Sequence, residues 1–106
     1  MSKHPDREPT HPGALLREDV IPAAGLPIAE VARRLRMSRQ GLHHILAEDR
    51  PVTTATALKL ARLFGTTPDL WLNMQRARDL WEQRREMADE LARIEPIRDG
   101  RTPATA

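Results

Sequence analysis

Residues 37–46 read MSRQGLHHIL. Wound as a helix, Leu42, Ile45 and Leu46 share one face, and Arg39, Gln40, His43 and His44 are left on the other. Three chemistries could use that outward set. Two histidines could hold a metal, or serve as acid and base across one phosphate. Neighbours on a helix, however, diverge by about 100°, and no partner within the helix completes a site, so neither a metal nor a ribonuclease pair is expected. The third chemistry is recognition of DNA. An arginine fork matches guanine O6 and N7, a glutamine amide matches adenine N6 and N7, and His44 can donate to guanine N7 or to a phosphate. Ser38, at the helix start, could hold a phosphate with its hydroxyl and the free backbone N–H groups, with Arg33, Arg34, Arg36 and Arg50 as electrostatic support.

A second titratable group, Glu82, Glu86 and Glu90, has i, i+4 spacing. Arg84, Arg85 and Arg93 interleave with it and no Glu-x-x-His occurs, which describes a solvated charged helix. Glycine-rich phosphate loops and nucleophile motifs are absent. No enzyme, cofactor or small-molecule substrate is expected.

The elements that position these residues come from a chain of 106 residues, enough for one ordinary core. Apolar residues make up 40% and charged residues 30%, as in a folded soluble domain, and the 3% aromatic content favours an all-α scaffold. There is no cysteine, hence no disulfide or thiolate site. No apolar run reaches a bilayer span and MSKHPDREPT lacks a signal-peptide core, so a cytoplasmic location without membrane contact is expected. A net charge of +2 permits nucleic-acid binding without requiring it.

Residues 1–9 read as a disordered tail and 96–106 as a second flexible tail, leaving a domain over 10–95. Thr10 or His11 can cap a first helix with Pro12 in its first turn; it should reach about Val20 and be stopped by Pro22 and Gly25. A short helix over 28–35 places Val31, Ala32 and Leu35 inward. Ser38 caps the quoted helix, which runs to about Ala47. Thr53 or Thr54 caps a fourth carrying Ala57, Leu58, Ala61 and Phe64, ended by Gly65. Thr67-Pro68-Asp69 opens a fifth that can continue to about Ile94, with Leu70, Met74, Ala77 and Trp81 as its core stripe. Trp71 and Trp81, nearly three turns apart, can lie on one face. Beyond Glu82, Met87, Leu91 and Ile94 form a thin apolar stripe that a five-helix core need not cover, which favours a partner helix.

Helices 28–35 and 39–47, joined by a tight turn, match a helix-turn-helix. Ala32 is small where the helices cross, while Leu35, Met37, Leu42 and Ile45 fill the wedge between them. The second helix then protrudes and can enter a major groove.

Three stretches, HPGALLREDVIPAAGLPIAEVARRL, RPVTTATALKLARLFGT and TPDLWLNMQRARDL, resemble the HigA-type antitoxins of the lambda-repressor-like (XRE) helix-turn-helix group over about residues 11–85. The resemblance implies a five-helix, all-α homodimer with a long C-terminal helix. It implies repression of its own operon by binding double-stranded operator DNA, and neutralisation of a HigB-type, RelE-like ribonuclease toxin. Trp81, Met87, Leu91 and Ile94 are then candidates for the dimer or toxin interface. Departures fall where DNA would be touched: Arg36 where the turn usually has glycine, Ile28 where a polar residue commonly meets phosphate, and Ala47-Glu48 where Asn-Gly is usual. Glu48 and Asp49 would repel a nearby phosphate, and Gly41 inside the reading helix lowers its propensity. A stand-alone repressor without a toxin, and a protein-binding module that has lost specific DNA binding, are the alternatives.

Overall fold

Local caps and breakers account for most of the element boundaries. The computed structural model describes residues 7–97, which hold six helices and no strand. The two expected tails lie largely outside the described residues.

The first helix, α1, spans residues 12–24 and starts where His11 Nδ1 accepts the Gly13 N–H at 2.9 Å. It does not stop before Pro22 as expected. Pro22 has no N–H for the carbonyl four residues back, and its ring crowds that carbonyl. The chain widens into a π-helical turn over Leu16–Val20, with the Ile21 N–H on the Leu16 carbonyl, then resumes as Ile21–Ala24. Gly25, at φ 71°, ends it.

Helices α2 (Ile28–Leu35) and α3 (Arg39–Leu46) follow as expected. Between them Arg36 takes the left-handed conformation, φ 57°, so that its N–H reaches the Arg33 carbonyl and the Met37 N–H the Ala32 carbonyl. These two bonds make the reverse turn that closes a helix with a left-handed residue. Glu48, φ 67°, closes α3 in the same way, with its N–H on Ile45 and that of Asp49 on His44.

Thr53 caps α4 (Thr54–Phe64) and Thr67 caps α5 (Pro68–Glu86). The long last helix is interrupted at Met87, where φ is −102°, and restarts as α6 (Ala88–Arg93). Asp89 and Glu90 in its first turn suit a new helix start. The break falls where α5 has run past the body of the domain, so no packing holds one straight axis.

The core collects Leu16 and Ile21 from α1, Val31, Ala32 and Leu35 from α2, Leu42, Ile45 and Leu46 from α3, Val52, Ala57 and Leu60 before and within α4, and Trp71 from α5. Two expected faces are displaced. In α4, Leu60 is buried while Leu58 is 56% exposed. In α5 the inward residues are Trp71, Gln75 and, mostly covered, Arg78; Leu70 and Ala77 are exposed, and Met74 and Trp81 half-buried. Trp71 and Trp81 therefore do not share a buried face. The stripe is off by one position because a buried glutamine and a mostly covered arginine carry the true face.

Those polar residues are matched by distant partners. Gln75 Oε1 accepts the Val52 N–H at 2.8 Å, and its amide donates to Asp79 Oδ1 at 2.9 Å. Arg78 donates to the Pro9 carbonyl at 3.1 Å and pairs with Glu8 at 2.8 Å and Glu82 at 2.7 Å. Trp71 donates its indole N–H to Thr66 Oγ1 at 2.8 Å.

Candidate nucleic-acid interface

The wedge between α2 and α3 is filled as its residue types require: Ala32, Leu35, Leu42 and Ile45 are buried and Met37 packs on them half-covered. Ile28 is also packed against this core, so an apolar residue at that position serves the domain interior. Filling the wedge from one side leaves the other face of α3 outside. Arg39, Gln40 and His43 are all exposed there.

At the start of α3, Ser38 Oγ accepts the Gly41 N–H at 2.9 Å. A Cβ on Gly41 would lie 2.9 Å from that oxygen and 3.7 Å from Arg50 Nη1. The glycine thus makes room for the cap, and Arg50 returns from eleven positions... beyond Arg39 to the same helix end. Arg36, Arg39 and Arg50 are exposed and form no ion pair among the described residues, and Arg50 reaches this helix end. The remaining site residues are more occupied. Arg33, with Arg34, binds Glu30, and those hydrogen bonds, that of Arg33 first, hold the Glu30 carboxyl down at about 2. His44 Nδ1 lies 3.0 Å from Asp49 Oδ1.

The two acids that should repel a phosphate are likewise engaged. Asp49 faces His44, and Glu48 Oε2 accepts from Arg17 Nη1 at 3.1 Å while Oε1 lies 3.9 Å from Arg78. Glu48 is half-buried and turned towards the two arginines, whereas Asp49 stays exposed beside His44. Arg17 and Arg78 are functional neighbours that no local pattern pointed to, being 31 and 30 positions from Glu48.

Further along α5, Trp81 carries the Arg85 guanidinium 4.7 Å from its ring centroid and that of Arg78 at 5.8 Å. Met87 is half-buried, and Leu91 and Ile94 are 43% and 63% exposed. No group of three metal-ligating side chains occurs among the described residues, and none of their helices is long and apolar enough to cross a membrane.

A tight left-handed turn between two short packed helices, the second capped and protruding, defines a helix-turn-helix protein. The family described as "Helix-turn-helix domain" matches residues 14–72. The chain is 39% identical to the HTH-type transcriptional regulator YbaQ of Escherichia coli (strain K12) over 97 residues, 90% of this chain and 86% of that one. Its structure is similar to that of a HigA-family addiction module antidote protein from Coxiella burnetii, with a TM-score of 0.78 and 32% identity over 86% of this chain and all of the other. It is also similar to antitoxin GraA in complex with its operator, with a TM-score of 0.78 and 32% identity over 92% and 97% of the two chains. The protein belongs to the lambda-repressor-like helix-turn-helix family, in the branch that contains the HigA-type antitoxins. Its relatives include proteins described as transcriptional regulators and antitoxins.

Proposed function

We infer that this chain is a cytoplasmic, homodimeric antitoxin that represses its own operon by reading operator DNA with α3, and that neutralises a HigB-type, RelE-like toxin by binding it. The observation that carries the DNA reading is the outward face of α3. Arg39 and Gln40 stand exposed on a protruding helix whose N-terminal end is flanked by Arg36 and Arg50, none of them in an ion pair among the described residues. The solved complex of the similar antitoxin GraA with its operator supports the same use of this fold. Arg39 and Gln40 supply the forked donors and acceptors that base edges require, and Ser38, Arg33, Arg36, Arg50, His43 and His44 supply phosphate or base contacts around them.

The toxin half of the reading rests on the likeness to antitoxins and on the apolar residues Trp81, Met87, Leu91 and Ile94, which lie beyond the core and suit a partner surface. The likeness to a transcriptional regulator favours a repressor without a toxin as the second reading.

Fluorescence anisotropy of the protein on its own upstream duplex and on a scrambled duplex, repeated across salt concentrations, tests the DNA half. Preference for the upstream duplex by about 10³ or more, with a linear log–log salt slope, is expected. Equal weak binding to both would refute it. Copurification with the product of the adjacent reading frame tests the toxin half, and its absence would leave the stand-alone repressor.

A further inference from the structure

We propose that Arg17 and Glu48 are positioning residues that clamp the C-terminal end of the reading helix, and that the discrimination between base sequences depends on this clamp. The inference rests on the DNA-reading role of α3 given above. Neither residue lies on the reading face itself.

The last carbonyls of a helix have no partner within it. At the end of α3, Arg17 supplies one from another helix: its Nη1 donates to the Leu46 carbonyl at 2.6 Å and to Glu48 Oε2 at 3.1 Å. Nη2 of the same guanidinium is held by Glu18 Oε2 at 2.8 Å. Glu48 occupies a left-handed conformation, φ 67°, that glycine adopts more readily. Its side chain is the gain from placing a non-glycine residue there, since it joins Arg17 on one side and faces Arg78 on the other. Arg78, only 16% exposed, is fixed in turn by Glu82, Glu8 and the Pro9 carbonyl. Three parts of the chain therefore converge on one turn.

The opposite end of α3 is held by its Ser38 cap and by the buried contacts of Leu42. With Leu46 released, α3 can tilt about the buried Leu42; Arg39 lies three residues from it, roughly 4.5 Å along the axis, so a tilt of about 12° displaces Arg39 by about 1 Å. A bidentate base contact does not survive such a displacement, whereas phosphate contacts tolerate it.

This separates the clamp from simple electrostatics. If Glu48 acted only as a negative charge near DNA, Glu48→Gln would tighten binding to every duplex alike and leave discrimination intact. The clamp predicts that Glu48→Gln and Arg17→Met each lower the ratio of upstream to scrambled affinity by about tenfold, while binding to the scrambled duplex is kept. Hydrogen exchange on the same full-length proteins provides a reading without DNA. The Ala47, Glu48 and Asp49 amides should exchange about tenfold faster, and those of Thr54–Phe64 at the unaltered rate. Unchanged discrimination in a wild type that does discriminate, or unchanged exchange at those three amides, overturns the clamp. A wild type that shows no upstream preference overturns the DNA-reading role instead, and the exchange comparison still decides whether Arg17 and Glu48 hold the helix end.

Discussion

Gly13 lies against the backbone carbonyl of Ile45, so close that a Cβ at residue 13 would overlap the oxygen. The first turn of α1 is thus seated directly on the main chain of the reading helix, with no side chain between them. Gly13→Ala should cost about 1–3 kcal/mol, the range of overpacked sites. Urea denaturation checks this, and an unchanged midpoint would show that α1 can slide without loss.

Gln75 is expected to matter through a backbone group it serves. Replacing it with leucine leaves the Val52 N–H buried without its acceptor and releases Asp79. Gln75→Leu should lower stability by about 1–3 kcal/mol despite its greater hydrophobicity. Stabilisation in a thermal melt would contradict the assignment.

His11 gives the fold a pH dependence of defined sign. Burial lowers its pKa from 6.5 ahead of the other influences; Arg78 also lowers it, while Glu48, Glu82 and Asp79 oppose. The unfolded chain therefore binds the proton more readily than the folded one. The associated stability is fully present above about pH 6.5 and is lost as pH falls through that value towards the lowered one. His11→Asn keeps a capping acceptor and removes the titration, so its stability should vary less between pH 7 and 5. Glu30 belongs to a separate window, since the stability tied to its pairing with Arg33 and Arg34 is lost between 4.5 and about 2.

Arg39→Ala should weaken specific binding by about 1–3 kcal/mol and relax one base position, as expected for a lost guanine fork. Binding titrations against duplexes altered at single positions distinguish this from a uniform loss, which would make Arg39 a phosphate contact. Because a twofold-symmetric dimer places its two reading helices about one duplex turn apart, footprinting should also reveal paired half-sites spaced by about 34 Å or a multiple.

The local signals were legible in the sequence because each is complete within one turn of chain. Ser38 before Arg39, Thr67-Pro68-Asp69 and Gly65 mark helix ends by their own hydrogen bonds and allowed φ values. The outward placement of Arg39, Gln40 and His43 followed from the periodicity of Leu42, Ile45 and Leu46. Residues matched across the fold were not legible. The buried side of α5 carries Gln75 and Arg78, whose partners Val52, Pro9 and Glu48 stand at least 23 positions away, so a search for apolar spacing chose Leu70, Met74 and Ala77 instead. Pro22 misled for a related reason: a π-helical turn before it absorbs the clash that normally ends a helix.

The placement of the two tryptophans has an optical consequence. The chain has no tyrosine, so its near-ultraviolet signal comes almost entirely from Trp71 and Trp81. Trp71 is fully enclosed beside the core, whereas Trp81 is half-covered and flanked by the arginines at 78 and 85. Emission from the first follows the melting of the helix-turn-helix body. Emission from the second follows whatever settles on the outer half of α5, so the two Trp→Phe variants turn the unlabelled protein into separate reporters of folding and of partner docking.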